Sequence, residues 1–232
     1  LVQVIEEQTS RTFQTVDQRL QLAANQLQAL QVDNKLDENA ARTMLRGQLK
    51  TLPFVRAIWV LDAEGRILFD SDAGNIGVVM ADREYFEIYK RQPTTQFHLS
   101  APVRSRTTGT WLISASRPLS TGVGTFSGVI VAAVEPPYFD KLWREIKLGD
   151  GGAIALFRKD GVLMMRSPFI AEALGQVVPD LPEVKTMLAG PDIGAFDQVS
   201  PFDGRLRHFA YRRMTTQRDL TLVAGLPHDL IV

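Results

Sequence analysis

The chain has 232 residues, 45% hydrophobic and 22% charged, which suits one large or two small globular domains with cores of their own. Its 26 basic residues balance its 26 acidic ones, so it lacks the basic surplus of a nucleic-acid binder and any electrostatic case for a membrane surface. It contains no cysteine, which excludes thiol catalysis, disulfides and cysteine-based metal sites.

Residues 1 to about 31 carry no Pro or Gly and predict one long helix. Val2, Ile5, Thr9, Thr12 and Val16, then Leu20, Ala23, Leu27 and Leu30, recur three and four apart and share a stripe. About 30 residues at 1.5 Å each span roughly 45 Å, more than a small domain needs. The stripe suits a dimer seam, a strut, or packing on the helix's own domain. Asp37 is the expected N-cap of a second helix through Lys50, and Pro53 ends helical continuation.

A first sheet module is expected from about residue 51. Two strands flank the turn Asp62 to Gly65, and a loop runs from Asp70 to Gly77. Asp82 caps a short helix, Arg83 to Lys90. Strands then follow at Phe97 to Arg106, Thr110 to Leu119 and Phe126 to Val134. Helices on one side of such a sheet make an α+β fold. A linking helix, Phe139 to Lys147, leads to Gly149 to Gly152. A second, smaller module follows, with a helix from Leu181 to Ala189 and strands near Phe196 to Val199, Leu206 to Met214 and Leu220 to Leu226.

The two modules echo each other. Trp59 to Ser71 aligns without a gap on Ala155 to Ser167 at an offset of 96, and Ile113 to Arg117 on Phe209 to Arg213 at the same offset. Ile76 to Val79 is answered by Leu174 to Val177. A repeat of this length is domain-sized. The division expected is a helical stalk at 1–50, a larger module with its linking helix at 51–147, and a smaller module at 148–232. The longest clean apolar run, Gly128 to Val134, is strand-length, well short of the ~20 residues of a membrane helix. The chain begins at Leu1 inside a helical pattern and stops at Leu230, Ile231 and Val232, so it reads as an excised part of a longer protein.

This order resembles the double Cache, PAS-like sensor domains of bacterial membrane receptors. The phrases that carry the resemblance are Asp82 to Phe86, Trp111 to Pro118, Gly128 to Pro136 with Tyr138 and Phe139, and Leu148 to Ile154. The wording is most similar to the periplasmic halves of diguanylate cyclases, with sensor histidine kinases close behind. The resemblance implies a periplasmic, non-enzymatic domain held by helices outside this segment, with no cofactor. It also implies a small organic ligand, a carboxylate or zwitterion, in the membrane-distal first module. A homodimer through the first helix would pass the signal to a cytoplasmic output, foremost a diguanylate cyclase, with a histidine kinase or chemoreceptor as the alternative.

Arg83, Tyr85 and Phe86 stand where amino-acid-binding relatives carry Arg-x-Trp-Tyr, and a guanidinium there gives paired charge-assisted bonds to a carboxylate. Glu135 stands where those relatives place an Asp for the ligand ammonium. Two departures from that pattern weaken an amino-acid reading: Val103 in place of a Tyr, and no aromatic among Val78 to Ala81. Alternation on the fourth strand puts Leu112, Ser114 and Ser116 on one face and Trp111, Ile113, Ala115 and Arg117 on the other. Ser114 and Ser116 offer room and hydroxyls, Trp111 an aromatic wall, and Arg104 with Arg106 an alternative clamp. The competing readings are a ligand-free protein-interaction module and a hydrolase. For the latter, His98, His208 and His228 lack metal-ligand spacing and no Gly-x-Ser-x-Gly elbow appears. The Asp62/Glu64 and Asp70/Asp72 pairs fall in turns, where acidic residues are routine, so no metal is expected; a divalent-ion site at Asp70, Asp72 and Asn75 is the lesser alternative.

Overall fold

The computed structural model describes residues 1–228; the expected stop at Leu230 to Val232 lies outside the described residues. The chain forms two compact units. One comprises Phe13–Glu135, called here the first unit. The other, the second unit, comprises Leu1–Thr12 together with the chain from Pro136 on.

Helix α1 runs Val2–Val32. Its buried seam is Ile5, Thr9, Phe13, Val16, Leu20, Ala23 and Leu27, in steps of four, four, three, four, three and four. Phe13, rather than Thr12, occupies the seam, and Glu6 and Ser10 are also buried. The chain itself covers this seam, so a dimer through the helix would have to use another face. Helix α2, Glu38–Leu49, starts at Asp37 as expected, whose side chain accepts the Ala40 N–H at 2.7 Å.

The first unit's sheet contains β1 (Val55–Leu61), β2 (Ile67–Asp70), β3 (His98–Leu99), β4 (Val103–Arg104), β5 (Trp111–Ser120) and β6 (Phe126–Val134). Their order is β2-β1-β6-β5-β3, with β4 also on β5. The single strand expected over residues 97–106 is two short ones, because Pro102 has no N–H to continue the ladder. Helix α3, Glu84–Arg91, lays Tyr85, Phe86 and Tyr89 on one face of the sheet, against Trp59, Leu112 and Val131. The opposite face meets α1, where Arg117 bonds Asp17 at 2.5 Å. Helices therefore cover both faces rather than one. Asp82 does not cap α3, whose N-cap residue is Arg83; the Asp82 carboxylate is taken by Arg106 instead.

In the second unit, α4 (Pro136–Arg144) begins three residues earlier than expected, because proline fits a first helical turn where no N–H is needed. Strands β7 (Ala153–Arg158), β8 (Leu163–Ser167), β9 (Ile193–Val199), β10 (Leu206–Arg213) and β11 (Leu220–Pro227) follow the order β8-β7-β11-β10-β9, with α5 at Pro182–Ala189. This is the first unit's order repeated.

The register tests the repeat residue by residue. Trp59 pairs with Asp70 and Leu61 with Ile67; Ala155 pairs with Arg166 and Phe157 with Leu163, so the offset of 96 holds on both strands and the bulge recurs in the same place. Gly65 and Gly161 turn the two hairpins at φ +82 and +86, a region open to glycine. On β5 and β10 the offset is 95, not 96. Ser116 pairs with Val131, which pairs with Trp59; Tyr211 pairs with Val223, which pairs with Ala155. One residue of slip exchanges faces. Arg117 thus matches Arg212, which stands 3.7 Å from the buried Glu6 of α1, as Arg117 stands by Asp17.

Candidate functional site

The first unit carries a cleft of about 410 Å³, counted with its open mouth, between the β1–β2 end of the sheet, the segment before α3, and the β4–β5 turn. The sheet provides its floor because Ala57 and Trp59 on β1, Ile67 on β2 and Leu112 on β5 all point to the α3 side. Trp59 and Tyr85 meet edge to face at 5.8 Å and 71°, and Met80 closes the wall beside them. The Trp59 indole N–H is buried and makes no well-formed hydrogen bond, although the Tyr85 hydroxyl lies near enough to feel it. Such a donor is costly unless something supplies an oxygen.

Charge gathers at the rim. Arg56, Arg83, Arg104 and Arg106 all line the cleft, together with Asp70 and Asp72. Among the described residues Arg83 donates one long bond, 3.3 Å to the Arg104 carbonyl. Arg104 donates to the Gly109 carbonyl at 3.1 Å and lies over the Trp111 ring at 4.9 Å. Arg106 grips both oxygens of Asp82 at 2.7 and 2.5 Å, and that bond holds the Asp82 carboxyl down at about 2 while raising the arginine's own pKa. Arg56 donates to Asp72 at 2.9 Å. Asp70 is 5% exposed and accepts the Asp72 N–H at 2.8 Å and the Asn75 amide at 3.0 Å. Burial raises its pKa against those bonds. Burial likewise pushes the Tyr85 hydroxyl up to about 12, with the Arg83 charge opposing.

Of the residues singled out from sequence as ligand contacts, Arg83, Tyr85, Arg104 and Arg106 line this cleft. Phe86 is fully buried behind it, edge-on to Phe126 at 6.0 Å. Ser116 bonds the Tyr89 hydroxyl at 2.9 Å under α3, and Ser114 is buried with its hydroxyl unpartnered. Trp111 is on the other face of β5, outside the lining, and supports Arg104 from there. Glu135 follows β6 outside the lining, its N–H bonded to the Phe54 carbonyl at 2.9 Å. The carboxylates that do line the cleft are Asp70 and Asp72, raised from sequence only as ion ligands; no cluster of three or more His, Cys, Asp or Glu suited to a metal occurs among the described residues. Trp59, Arg56 and Met80 were not anticipated. The signal for Trp59 was present in its inward parity on β1, whereas Arg56 enters only through the fold.

Of the histidines, His208 and His228 both meet Asp197, at 2.7 and 3.3 Å. His98 bonds Glu84 at 2.8 Å in the first unit.

The sequence model of one family, the Cache domain, matches residues 1–232. Among solved structures, the chain is similar to the extracellular domain of the inferred histidine kinase rpHK1S-Z16, with 28% identity, a TM-score of 0.87, and coverage of 100% of this chain and 93% of that one. It is also similar in fold to the periplasmic sensory domain of the Campylobacter jejuni chemoreceptor Tlp1, at 12% identity, TM-score 0.74, and 98% and 93% coverage. A third is the ligand-binding domain of the Pseudomonas fluorescens chemoreceptor CtaA, solved with L-isoleucine, at 15% identity, TM-score 0.70, and 98% and 90% coverage. Among proteins with curated descriptions, none matches this sequence. No helix among the described residues is long and apolar enough to cross a membrane.

Proposed function

This chain belongs to the Cache-domain family, and we propose that it is the extracytoplasmic sensor of a membrane receptor, binding a small zwitterion or carboxylate in the first unit's cleft. The observation that carries this reading is the company kept by Trp59 and Tyr85: the guanidiniums of Arg83 and Arg104 and the buried carboxylate of Asp70 line the same cleft. A carboxylate would accept from Arg83 and from the buried Trp59 N–H, while an ammonium would meet Asp70 and Asp72. Isoleucine in CtaA makes α-amino acids the first compounds to test, with organic acids and amines beside them.

In this reading the module expected at residues 51–147, less α4, which groups with the second unit, is the membrane-distal, ligand-holding one. Residues 148–232 form the proximal one, and residues 1–50 the stalk that carries the change. Of the residues marked from sequence, Arg83, Tyr85 and Arg104 touch the ligand. Phe86 and Ser116 support that wall by holding α3 to the sheet, and Trp111 holds Arg104. Ser114 and Glu135 come into contact only if the ligand reaches beyond the cleft. Dimerisation uses an exposed face of α1, and the parent protein's output is a diguanylate cyclase or a histidine kinase. A few kcal/mol of differential affinity suffices to shift such a two-state device.

Isothermal titration of amino acids, organic acids and amines tests the reading. One class should bind saturably and raise the melting temperature, and Arg83→Ala should weaken it by about a hundredfold, the loss of a charge-assisted pair. If no class binds, or if affinity survives both Arg83→Ala and Asp70→Asn, this cleft is not the sensing site.

A further inference from the structure

The repeat allows the two sheets to be compared position by position. Ala155 on β7 occupies the register position of Trp59 on β1. Trp59 fills its floor and is 6% exposed; at Ala155 a methyl group leaves that space open. On the next strand but one the sizes are exchanged. Phe209 and Tyr211 stand where the first unit has Ser114 and Ser116. Bulk has moved from the floor to the side, and a cleft of about 570 Å³, counted with its open mouth, lies in the second unit over Ala155.

Its chemistry differs from that of the first. Phe196 stacks on Phe209 with centroids 5.4 Å apart and planes at 30°, and Phe157 on Phe202 at 6.2 Å and 25°. Val184 and Met187 of α5 cover the far side. Arg166 is the charged residue of the lining, and its guanidinium is committed: one nitrogen bonds the Pro168 carbonyl and another holds Asp203 at 2.6 Å. Ser200 accepts the Phe202 N–H at 3.3 Å, and Gln198 adds one amide at the wall.

We infer that this cleft is a second ligand site, which takes a small uncharged aromatic molecule with its ring against Phe196 and Phe209 over Ala155. Planar rings and apolar walls favour an aromatic face, by burial of apolar area and by stacking. An anionic ligand is disfavoured because it would lose its hydration beside Asp203 with no unspent cation to receive it. The site is separate from the first unit's cleft and stands whether or not that cleft binds an amino acid or carboxylate.

Indole and benzoate, titrated into the full chain and followed by calorimetry and ligand NMR, provide the test. Indole should bind saturably, with nuclear Overhauser contacts to the Phe196 and Phe209 rings, and benzoate about tenfold more weakly or worse. Ala155→Trp should restore the first unit's filled floor and lower indole affinity by about tenfold or more, with the circular dichroism unchanged. Ala155→Leu, a smaller plug, makes the same test should the tryptophan variant fail to fold. Arg83→Ala should leave indole binding unaltered. Absence of saturable indole binding overturns the inference, as does affinity indifferent to both Ala155 substitutions, or contacts to Trp59 and Tyr85 instead.

Discussion

Asp203→Asn removes a carboxylate that serves two buried guanidiniums at once. Arg207, 1% exposed, places two nitrogens on Asp203 at 2.8 Å each, and Arg166, 3% exposed, places one at 2.6 Å. Arg207 also donates to the Gly151 carbonyl at 2.7 Å, so neither arginine can swing out to water without breaking further bonds. Removing one member of a buried ion pair costs about 3–5 kcal/mol, because the partner's charge stays behind. Asparagine keeps the shape and one acceptor, and the Asp203 side chain retains 23% exposure, so the low end applies: about 3 kcal/mol. For a chain of this length melting as one unit that is a fall of about 6–12 °C in Tm, and about 12–24 °C in the second unit's own transition if the two units melt separately.

The pH dependence adds a second readout. Burial alone would raise the Asp203 carboxyl, but hydrogen bonds from Arg207 and the Arg205 N–H, with the charges of Arg207 and Arg166, outweigh it and hold it well below the usual carboxylate range. A depressed carboxyl contributes stability that is fully present above the unfolded value near 4 and is lost as pH falls below it. Calorimetry from pH 7 to pH 3 should therefore show the gap between wild type and Asp203→Asn narrowing at the acid end. A variant within about 0.5 kcal/mol of wild type at pH 7, or a gap independent of pH, would refute the argument.

Three further outcomes are expected. Phe86→Ala, which empties a fully buried position under α3, should cost about 3–5 kcal/mol in urea denaturation. Gly65→Ala should destabilise more than Gly161→Ala: both sites have positive φ, but the new methyl group meets the Ala81 backbone at 2.7 Å in the first case and a Val177 side-chain carbon at 3.2 Å in the second. Tyr85 stays protonated while its folded pKa remains raised to about 12, so Tyr85→Phe should leave the ultraviolet absorbance rise up to about pH 10.5 unchanged; stability from this group is full below about 10 and declines from there toward 12.

Local rules carried a large part of the fold into plain view in the sequence. A capped helix needs only Asp37 and the N–H groups just after it, and a hairpin needs only its turn glycine and alternating strands. The long helix, the α2 start and both copies of the opening hairpin could accordingly be read without coordinates, down to an offset of 96 that the ladders repeat with its bulge. What failed was reasoning that needed a distant partner. Asp82 has the sequence context of an N-cap, yet Arg106, 24 residues away, takes its carboxylate. The one-residue slip on β5 and β10 is invisible in a pattern match, because matching apolar to apolar sets Phe209 and Tyr211 on Ile113 and Ala115, whereas the neighbouring strand places them at Ser114 and Ser116. The first cleft was half legible for the same reason. Arg83 and Tyr85 announce themselves near a helix start, while Asp70, Trp59 and Arg56 become a site only when β1, β2 and the β4–β5 turn converge. Periodicity, caps and turns are short-range properties of the chain and are written in it. Which charge neutralises which, and whether a floor position holds a tryptophan or a void, depends on groups tens of residues apart, and these meet only after the sheet has formed.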